Sequence, residues 1–137
     1  MSNIERLRLP ESDPIFGSNK VFDLFKYSPA VRAGGLVFIA GQVGLRTDGS
    51  VPESVEEQIR LAFTRLGVIL KHEGLGFENL VELVSYHVDI DSQLTIFREV
   101  KDEFIAHEFP AWTILGVAAL ARPNLLIEIK AVAATPA

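Results

Sequence analysis

Two stretches of the chain place polar side chains within apolar sequence, where they are candidates for chemistry. Glu128 lies within LLIEIKAV, and an acidic residue on an apolar strand is unusual unless it is paired or functional. Trp112 and Thr113 begin the apolar run that follows Phe109 and Pro110. A carboxylate can align and deprotonate a water molecule, whereas an indole offers one N–H donor and a large apolar face. Glu128 is therefore a candidate catalytic base, and pairing with a lysine or arginine is its structural alternative.

The composition argues against several other classes of functional site. The 137 residues include no cysteine, which excludes disulfides and thiolate catalysis. The three histidines, His72, His87 and His107, lack the spacing of metal ligands, so we expect no metal and no cofactor. A net charge of −5 disfavours broad contact with phosphate backbones, and no nucleic acid partner is expected.

The chain also lacks signals for a membrane. No window approaches the roughly 18 consecutive apolar residues of a membrane helix, and the start MSNIERLRLPESD lacks the apolar centre of a signal peptide. We expect a cytoplasmic protein with no membrane contact. Residues 1–137 read as one domain without linkers or repeats, in which residues 1–18 form an irregular arm.

The elements that must position the candidate residues follow from turn and capping signals. Residues 30–32 and 36–40 are predicted strands of a hairpin, joined across Ala33-Gly34-Gly35. The preceding SNKVFDLFKY has strand character. Ser54 and Glu57 predict a reciprocal capping box for a helix that ends at Gly74. Apolar residues recur along this helix at three- and four-residue spacing, so one of its faces is expected to be buried.

The second half of the chain alternates strands and one more helix. LVELVSYHVDI alternates as a strand, and a helix is expected from Asp91-Ser92 to before Pro110. Residues 112–118 and 125–133 are two further predicted strands. The order β-β-α-β-α-β-β predicts an α+β fold with a mixed sheet of five or six strands and two helices on one face. The other face then needs a partner, which predicts a homo-oligomer.

Two motifs resemble those of a known family. YSPAVRAGGLVFIAGQVG resembles the strand-turn-strand signature of the RidA family, also called YjgF/YER057c/UK114, and FPAWT followed by LLIEIKAVAA resembles its C-terminal signature. The resemblance spans residues 27–133. It implies a chorismate-mutase-like fold, a homotrimer with a barrel-like sheet core, and small-molecule clefts between subunits. In active members these clefts hydrolyse enamines and imines, releasing a 2-keto acid and ammonia.

The resemblance also assigns expected roles to single residues. Glu128 corresponds to the glutamate credited with positioning the hydrolytic water. An asparagine that lines the cleft in some members falls near Phe97 or Arg98. The other positions implied to bind the substrate are Tyr27, Gly41, Gln42 and Thr113.

One position departs from the family pattern. The carboxylate-binding arginine of the family follows the Pro-Ala of the C-terminal signature, and here that residue is Trp112. Trp112 either lines a cleft for an aromatic or less acidic ligand, or plugs the cleft or packs in an interface. Arg98 and Arg122, with Arg32 and Arg46, are the other cations considered as replacements.

Three functional hypotheses follow. The first is an enamine or imine deaminase whose substrates differ from ordinary 2-imino acids, because a planar guanidinium grips a carboxylate in a way that an indole cannot. The second is a non-catalytic homotrimer that binds a metabolite or acts as a chaperone. The third is the endoribonuclease activity attached to some family members, which the acidic composition disfavours.

Overall fold

The computed structural model describes residues 3–136 as one mixed sheet with helices. The elements, in chain order, are β1 (Ile4–Arg6), α1 (Lys20–Phe25), β2 (Ala30–Ala33), β3 (Leu36–Val43), α2 (Val55–His72), β4 (Leu80–Val88), α3 (Ile90–Phe104), β5 (Ala111–Val117) and β6 (Ile127–Ala134). The six strands follow the order β1-β2-β3-β6-β4-β5. The strands β4 and β5 are parallel, and the other neighbours are antiparallel. The α+β prediction is confirmed.

The predicted hairpin forms from β2 and β3. Ala33 pairs with Leu36, and the two residues between them, Gly34 and Gly35, have φ angles of 59° and 76°. Glycine takes this left-handed conformation without the steric cost that a Cβ imposes, which suits a two-residue turn between twisted strands. The strand β3 runs three residues further than predicted, to Val43, and carries a bulge between Ile39 and Gln42.

The helix α2 begins and ends where its capping residues predict. The Ser54 hydroxyl accepts a hydrogen bond from the Glu57 backbone N–H at 3.3 Å, and Gly74 follows the helix with a φ of 73°. The predicted reciprocal bond is replaced by another contact, because the Glu57 carboxylate pairs with Arg46 at 2.7 Å. The side chain of Glu57 therefore connects α2 to the loop after β3 and does not complete the capping box.

The core lies between one face of the sheet and the two long helices. The helix α3 begins at Ile90, one residue before the predicted Asp91-Ser92 start. The burial of β6 alternates, with Ile127, Ile129 and Ala131 buried and the residues between them at least partly exposed. Phe63 of α2 and Phe97 of α3 meet with ring centroids 5.6 Å apart over this face.

The other face of the sheet carries no helix and remains half-exposed. Phe38 of β3 is 47% exposed, and Tyr86, Glu128 and Val132 are partly exposed on the neighbouring strands. The edge strand β5 is also exposed, including Leu115. A second subunit that covers this surface remains a prediction.

Two expectations for the N-terminal region are wrong. The arm at residues 1–18 contains the strand β1, because Ile4, Glu5 and Arg6 pair with β2; residues 1 and 2 lie outside the described part. The segment SNKVFDLFKY forms the helix α1, not a strand, and Lys26 closes it with a φ of 59°.

The arm is held against α1 by side-chain contacts. The buried Asn19 amide bonds both backbone groups of Leu9, at 3.1 Å and 2.6 Å, and Arg8 pairs with Asp23 at 2.8 Å. These long-range contacts explain why neither element shows in local sequence patterns. Within residues 3–136, no helix combines the length and apolar character needed to cross a membrane.

Candidate functional site

The bulge in β3 brings the carboxylate of Glu128 against Gly41. The register passes from Ile39 opposite Ala131 to Gln42 opposite Ile129, so two residues of β3 face one residue of β6. The Glu128 carboxylate packs so closely over Gly41 that a methyl group there would overlap it. Gln42 is buried, and its amide nitrogen donates to the Ala40 carbonyl at 3.0 Å, which braces the bulge.

Glu128 is a partly buried acid without a cationic partner. Among the described residues, no lysine or arginine forms an ion pair with it, so the structural alternative of a salt bridge is absent there. Burial raises its pKa above the ordinary 4.5 of a glutamate. Within residues 3–136, no group of three or more His, Asp or Glu side chains is arranged to hold a metal ion. Glu128 therefore remains a candidate base.

A cavity of about 340 Å³ opens beside the bulge, between the end of β3 and the helices α1 and α2. Three of the predicted binding residues, Tyr27, Gly41 and Gln42, line it. A second depression, of about 560 Å³, lies on the other side of Tyr27. Its charged walls include Arg8 and Asp23, which already pair with each other, and it lacks Gly41. The smaller cavity is the one that adjoins the unpaired acid.

The phenol of Tyr27 is influenced by the charges of two groups of this site, Glu128 and Arg65. Burial and the negative charge of Glu128 raise the pKa of the phenol, and the positive charge of Arg65 opposes that shift. The phenol consequently stays protonated at neutral pH and can donate a hydrogen bond into the site. Its ring packs edge-on against Phe22 of α1, with centroids 5.0 Å apart.

Arg65 of α2 is a cavity residue that the sequence analysis missed. Its side chain is 8% exposed and lines the cavity together with Tyr27. Nε donates to the Leu45 carbonyl at 2.9 Å, one Nη donates to the Arg46 carbonyl at 3.3 Å, and the Phe16 ring lies 4.7 Å from the guanidinium carbon. A signal was present, because an i, i+4, i+7, i+11 row of α2 places Arg65 on the buried face. That row is Gln58, Ala62, Arg65 and Ile69.

The four arginines considered as replacements have different surroundings. Arg32 pairs with Glu73, and Arg98 is exposed on α3. Arg46 and Arg122 both line the cavity. The Arg46 guanidinium pairs with Glu57, while that of Arg122 donates to the Gly49 carbonyl at 3.1 Å.

Trp112 and Thr113 do not join this group within one chain. Trp112 pairs in register with Leu83, and its indole lies on the helix face, stacked on Phe97 at 5.6 Å with the Lys101 ammonium 4.8 Å from its ring. Thr113 is exposed on β5, with the strand β4 between it and β6. Trp112 thus lies across the sheet from Glu128.

The indole of Trp112 instead starts a chain of buried hydrogen bonds, which we name the helix-face line. It comprises Trp112, Ser85, His87 and Gln93. The Gln93 amide nitrogen donates to the Leu126 carbonyl at 2.8 Å, so its oxygen accepts from His87 Nδ1 at 3.0 Å. His87 Nε2 then accepts from the Ser85 hydroxyl at 2.8 Å, whose oxygen accepts from the Trp112 indole at 2.9 Å.

The helix-face line is closed to ligands. Ser85 and His87 are both 0% exposed, although their 2.8 Å contact has the length of a nucleophile–base pair. Burial lowers the pKa of His87, which keeps its ring neutral in the tautomer that the line requires. Ser85 and His87 therefore stabilise the core through hydrogen bonds.

Comparisons with known proteins identify the family. Residues 19–135 match the family described as Endoribonuclease L-PSP. The chain belongs to this family. The RutC family protein YjgH of Escherichia coli K12 is 37% identical over 121 residues, which are 88% of this chain and 91% of that protein. The solved structure of Protein YJGH has a TM-score of 0.81 at 34% identity and covers 93% of this chain and 99% of its own.

Other relatives of this Endoribonuclease L-PSP family member carry more specific names. The 2-iminobutanoate/2-iminopropanoate deaminase of Bos taurus is 34% identical over 109 residues, which are 78% of each chain. A Mycobacterium tuberculosis structure from the YjgF/YER057c/UK114 family has a TM-score of 0.77 at 28% identity, covering 90% of this chain and 98% of its own. The resemblance to the RidA family and its fold is confirmed.

Proposed function

We propose that this protein hydrolyses the C=N bond of a small imine, or of an enamine that tautomerises to it, with Glu128 as the general base. The observation that carries the proposal is a partly buried, unpaired carboxylate held against Gly41 at the edge of a ligand-sized cavity. The similarity to a 2-iminobutanoate/2-iminopropanoate deaminase supports this reaction type.

The reaction needs one base that later returns its proton. The Glu128 carboxylate takes a proton from water as the water oxygen bonds to the imine carbon, and the C=N electron pair moves to nitrogen. The protonated Glu128 then gives its proton to the nitrogen of the carbinolamine. The Glu128 carboxylate next takes the hydroxyl proton of the carbinolamine and passes it to the amino nitrogen, so that the C–N bond breaks, ammonia leaves and a carbonyl forms. Imine and water are consumed, and carbonyl compound and ammonia are released.

The raised pKa of Glu128 suits this double role. A carboxyl group whose pKa lies above the ordinary value is a stronger base when ionised, and it holds the proton taken from water more firmly until it returns it. The protonated phenol of Tyr27 can donate to the oxygen that develops on the attacked carbon. Gly41 leaves the space that the carboxylate occupies.

A homotrimer in the cytoplasm, with clefts between subunits, belongs to the same proposal. The half-exposed sheet face and the exposed edge strand β5 support a subunit contact. Thr113 and Arg98 take part in the cleft only if a neighbouring subunit supplies them, because neither lines the cavity of its own chain. The indole of Trp112 already donates a hydrogen bond to Ser85 and stacks on Phe97 within its own chain.

The experiment compares Glu128→Gln with the wild-type protein on imines generated in situ. Light scattering first gives the assembly state. The substrates are 2-iminopropanoate and a neutral imine of similar size. We expect Glu128→Gln to lower the rate by about 100-fold or more, the typical contribution of a general base. The matched control, Glu82→Gln, neutralises an exposed acid of β4 and leaves the rate unchanged.

The pH profile tests the same assignment. A base works when it is ionised, so the wild-type rate rises with pH through a pKa above 4.5. Glu128→Gln removes that rise. A variant that keeps the wild-type rate contradicts the proposal, and a wild-type protein that binds small carboxylates without turnover supports the non-catalytic alternative.

A further inference from the structure

We propose that Arg65 forms an anion subsite in the cavity, which holds the carboxylate of a small ligand with an apolar body. The inference deepens the proposed function, on which it rests for the identity of the reaction. It adds a cation from α2, an element that carries none of the predicted site residues. Its binding test does not require turnover.

The first observation is that the Arg65 guanidinium has donors to spare. It carries five N–H donors, of which one on Nε and one on an Nη meet carbonyl oxygens. Among residues 3–136, no carboxylate lies within ion-pair distance of it, and no solvent-buried side-chain nitrogen lacks a partner. The unpaired Nη1 of this buried residue is therefore open to the cavity that Arg65 lines.

The second observation is that the guanidinium is held in place. The carbonyls of Leu45 and Arg46 fix one edge of the planar group, and the Phe16 ring covers one of its faces. The free edge, which carries Nη1, faces away from these carbonyl contacts and is available to a ligand in the cavity. A fixed guanidinium edge suits a carboxylate, because two parallel N–H groups can meet its two oxygens.

The third observation is the charge and lining of the cavity. The chain has a net charge of −5, yet the cavity wall carries the cations Arg65, Arg46, Arg122 and Lys20 against one acid, Asp48. Asp48 is bound to Ser50, at 2.7 Å to its hydroxyl. Phe16, Phe22 and Leu24 supply apolar wall. A carboxylate with an aliphatic or aromatic body matches both parts of the lining.

The geometry also places this subsite beside the proposed base. Tyr27 responds electrostatically to both Arg65 and Glu128, and Gly41 both lines the cavity and contacts the Glu128 carboxylate. A carboxylate on Arg65 therefore directs the rest of the ligand past Tyr27 toward Glu128. The substrate is then an imine that bears a carboxylate, although Trp112 stands where the family has its arginine.

The test measures binding of 3-phenylpropanoate and of its neutral isostere 3-phenylpropanamide by isothermal titration calorimetry. We expect wild-type protein to bind the carboxylate at least about 10-fold more tightly than the amide, since hydrogen bonds to charged groups exceed neutral ones by that order. Arg65→Met abolishes the preference, and Arg65→Lys retains part of it. Equal affinity for the two ligands in the wild-type protein overturns the proposal without any variant.

Two control variants separate Arg65 from other cations. Arg60→Met removes an exposed arginine of the same helix, paired with Glu103, and leaves the preference unchanged. Arg122→Met removes another cation of the cavity wall. If Arg122→Met loses the preference and Arg65→Met keeps it, the assignment to Arg65 is wrong. If Arg65→Met does not fold, the ligand comparison in the wild-type protein and in Arg65→Lys decides the question.

A further variant distinguishes failure of the subsite from failure of the proposed function. Glu128→Gln loses turnover but keeps the preference for the carboxylate, because it removes a negative charge and leaves Arg65 intact. If Arg65→Met turns over the imine at the wild-type rate, the subsite proposal is wrong and the proposed function stands. A carboxylate preference that depends on Arg65, in a protein that hydrolyses no imine, refutes the proposed function alone.

Discussion

Two regions of the molecule treat polar groups in opposite ways: the core under the helices and the surroundings of the cavity at the end of β3. On the helix face, the helix-face line passes from Trp112 through Ser85 and His87 to Gln93, and every member has a protein partner. On the cavity side, the carboxylate of Glu128 has no ion-pair partner among the described residues, and Arg65 keeps donors that no protein oxygen occupies. The polar side chains of the helix-face line all have partners within the chain, whereas those beside the cavity remain available to a ligand.

This difference shows that residue types alone do not locate a site. Ser85 and His87 have the identities and the spacing of a catalytic pair, but both are fully buried and neither lines the two cavities beside Tyr27. Glu128 and Arg65 belong to different elements and are connected through Gly41, which lines the cavity with Arg65 and contacts the Glu128 carboxylate. A buried polar network that is satisfied stabilises one arrangement of the core, and breaking it exposes the cost of unpaired groups.

The largest effect is expected for Phe97→Ala, which removes packing from the helix face. The ring is fully buried and meets Phe63, His87 and Trp112 with centroids 5.6, 4.7 and 5.6 Å away. Truncating a buried phenylalanine costs about 3–5 kcal/mol. Urea denaturation at fixed protein concentration measures the loss in the free energy of unfolding.

The control for this prediction is Phe109→Ala, which truncates an exposed ring and changes stability little. Affinity for 3-phenylpropanoate, normalised to the folded fraction, stays at the wild-type value in Phe97→Ala. A loss of affinity in the folded protein would break the distinction between the two regions.

The next effect is expected for Gly41→Ala, which acts on the cavity side. The added methyl group overlaps the Glu128 carboxylate, which must swing away, and a displacement of about 1 Å can cost about 100-fold in rate. The φ of Gly41 is not in the left-handed region, so the backbone accepts alanine. Imine turnover therefore falls about 100-fold while the unfolding midpoint moves little.

Gly67→Ala is the matched control, because its methyl group meets only the Phe77 ring, at 3.1 Å, on another side of α2. Its turnover remains that of the wild type. If Gly41→Ala lowers stability and turnover together, Gly41 serves the sheet and not the position of Glu128.

Local signals in the sequence predicted the elements that local interactions fix. Gly34-Gly35 marks the hairpin, Ser54 and Gly74 bound α2, and the alternation of β6 separates Ile127 from Glu128. These features depend on a few neighbouring residues. The fold class agrees with what the sequence motifs imply. Tyr27, Gly41 and Gln42 line one cavity, and their role in binding stays a prediction.

Features that depend on distant contacts were missed. The strand β1 exists through pairing with β2, and the N-terminal end of α1 is held by Asn19, whose amide bonds Leu9. Arg65 was not predicted as a site residue, because nothing near it in sequence shows that Phe16 and the loop after β3 cover it. The sequence also could not show that Trp112 and Glu128 lie on opposite faces.

The smallest effect is expected for Trp112→Phe, which separates the two interpretations of this position. Phenylalanine keeps an aromatic ring near Phe97 but removes the indole N–H that donates to Ser85. The loss of one hydrogen bond lowers the free energy of unfolding by about 1 kcal/mol. In Ser85→Ala protein the same change costs less, so a double-mutant cycle isolates the bond.

Trp112→Phe leaves the affinity for 3-phenylpropanoate unchanged if the indole serves the core, since Trp112 does not line the cavity. A weakened affinity without a stability change, measured on the assembled protein, would mean instead that a neighbouring subunit brings Trp112 to the ligand. The two regions then cooperate across a subunit boundary, and the indole is a binding residue despite its hydrogen bond within the chain. The pair of measurements therefore decides whether the division between the two regions holds for the chain or for the assembly.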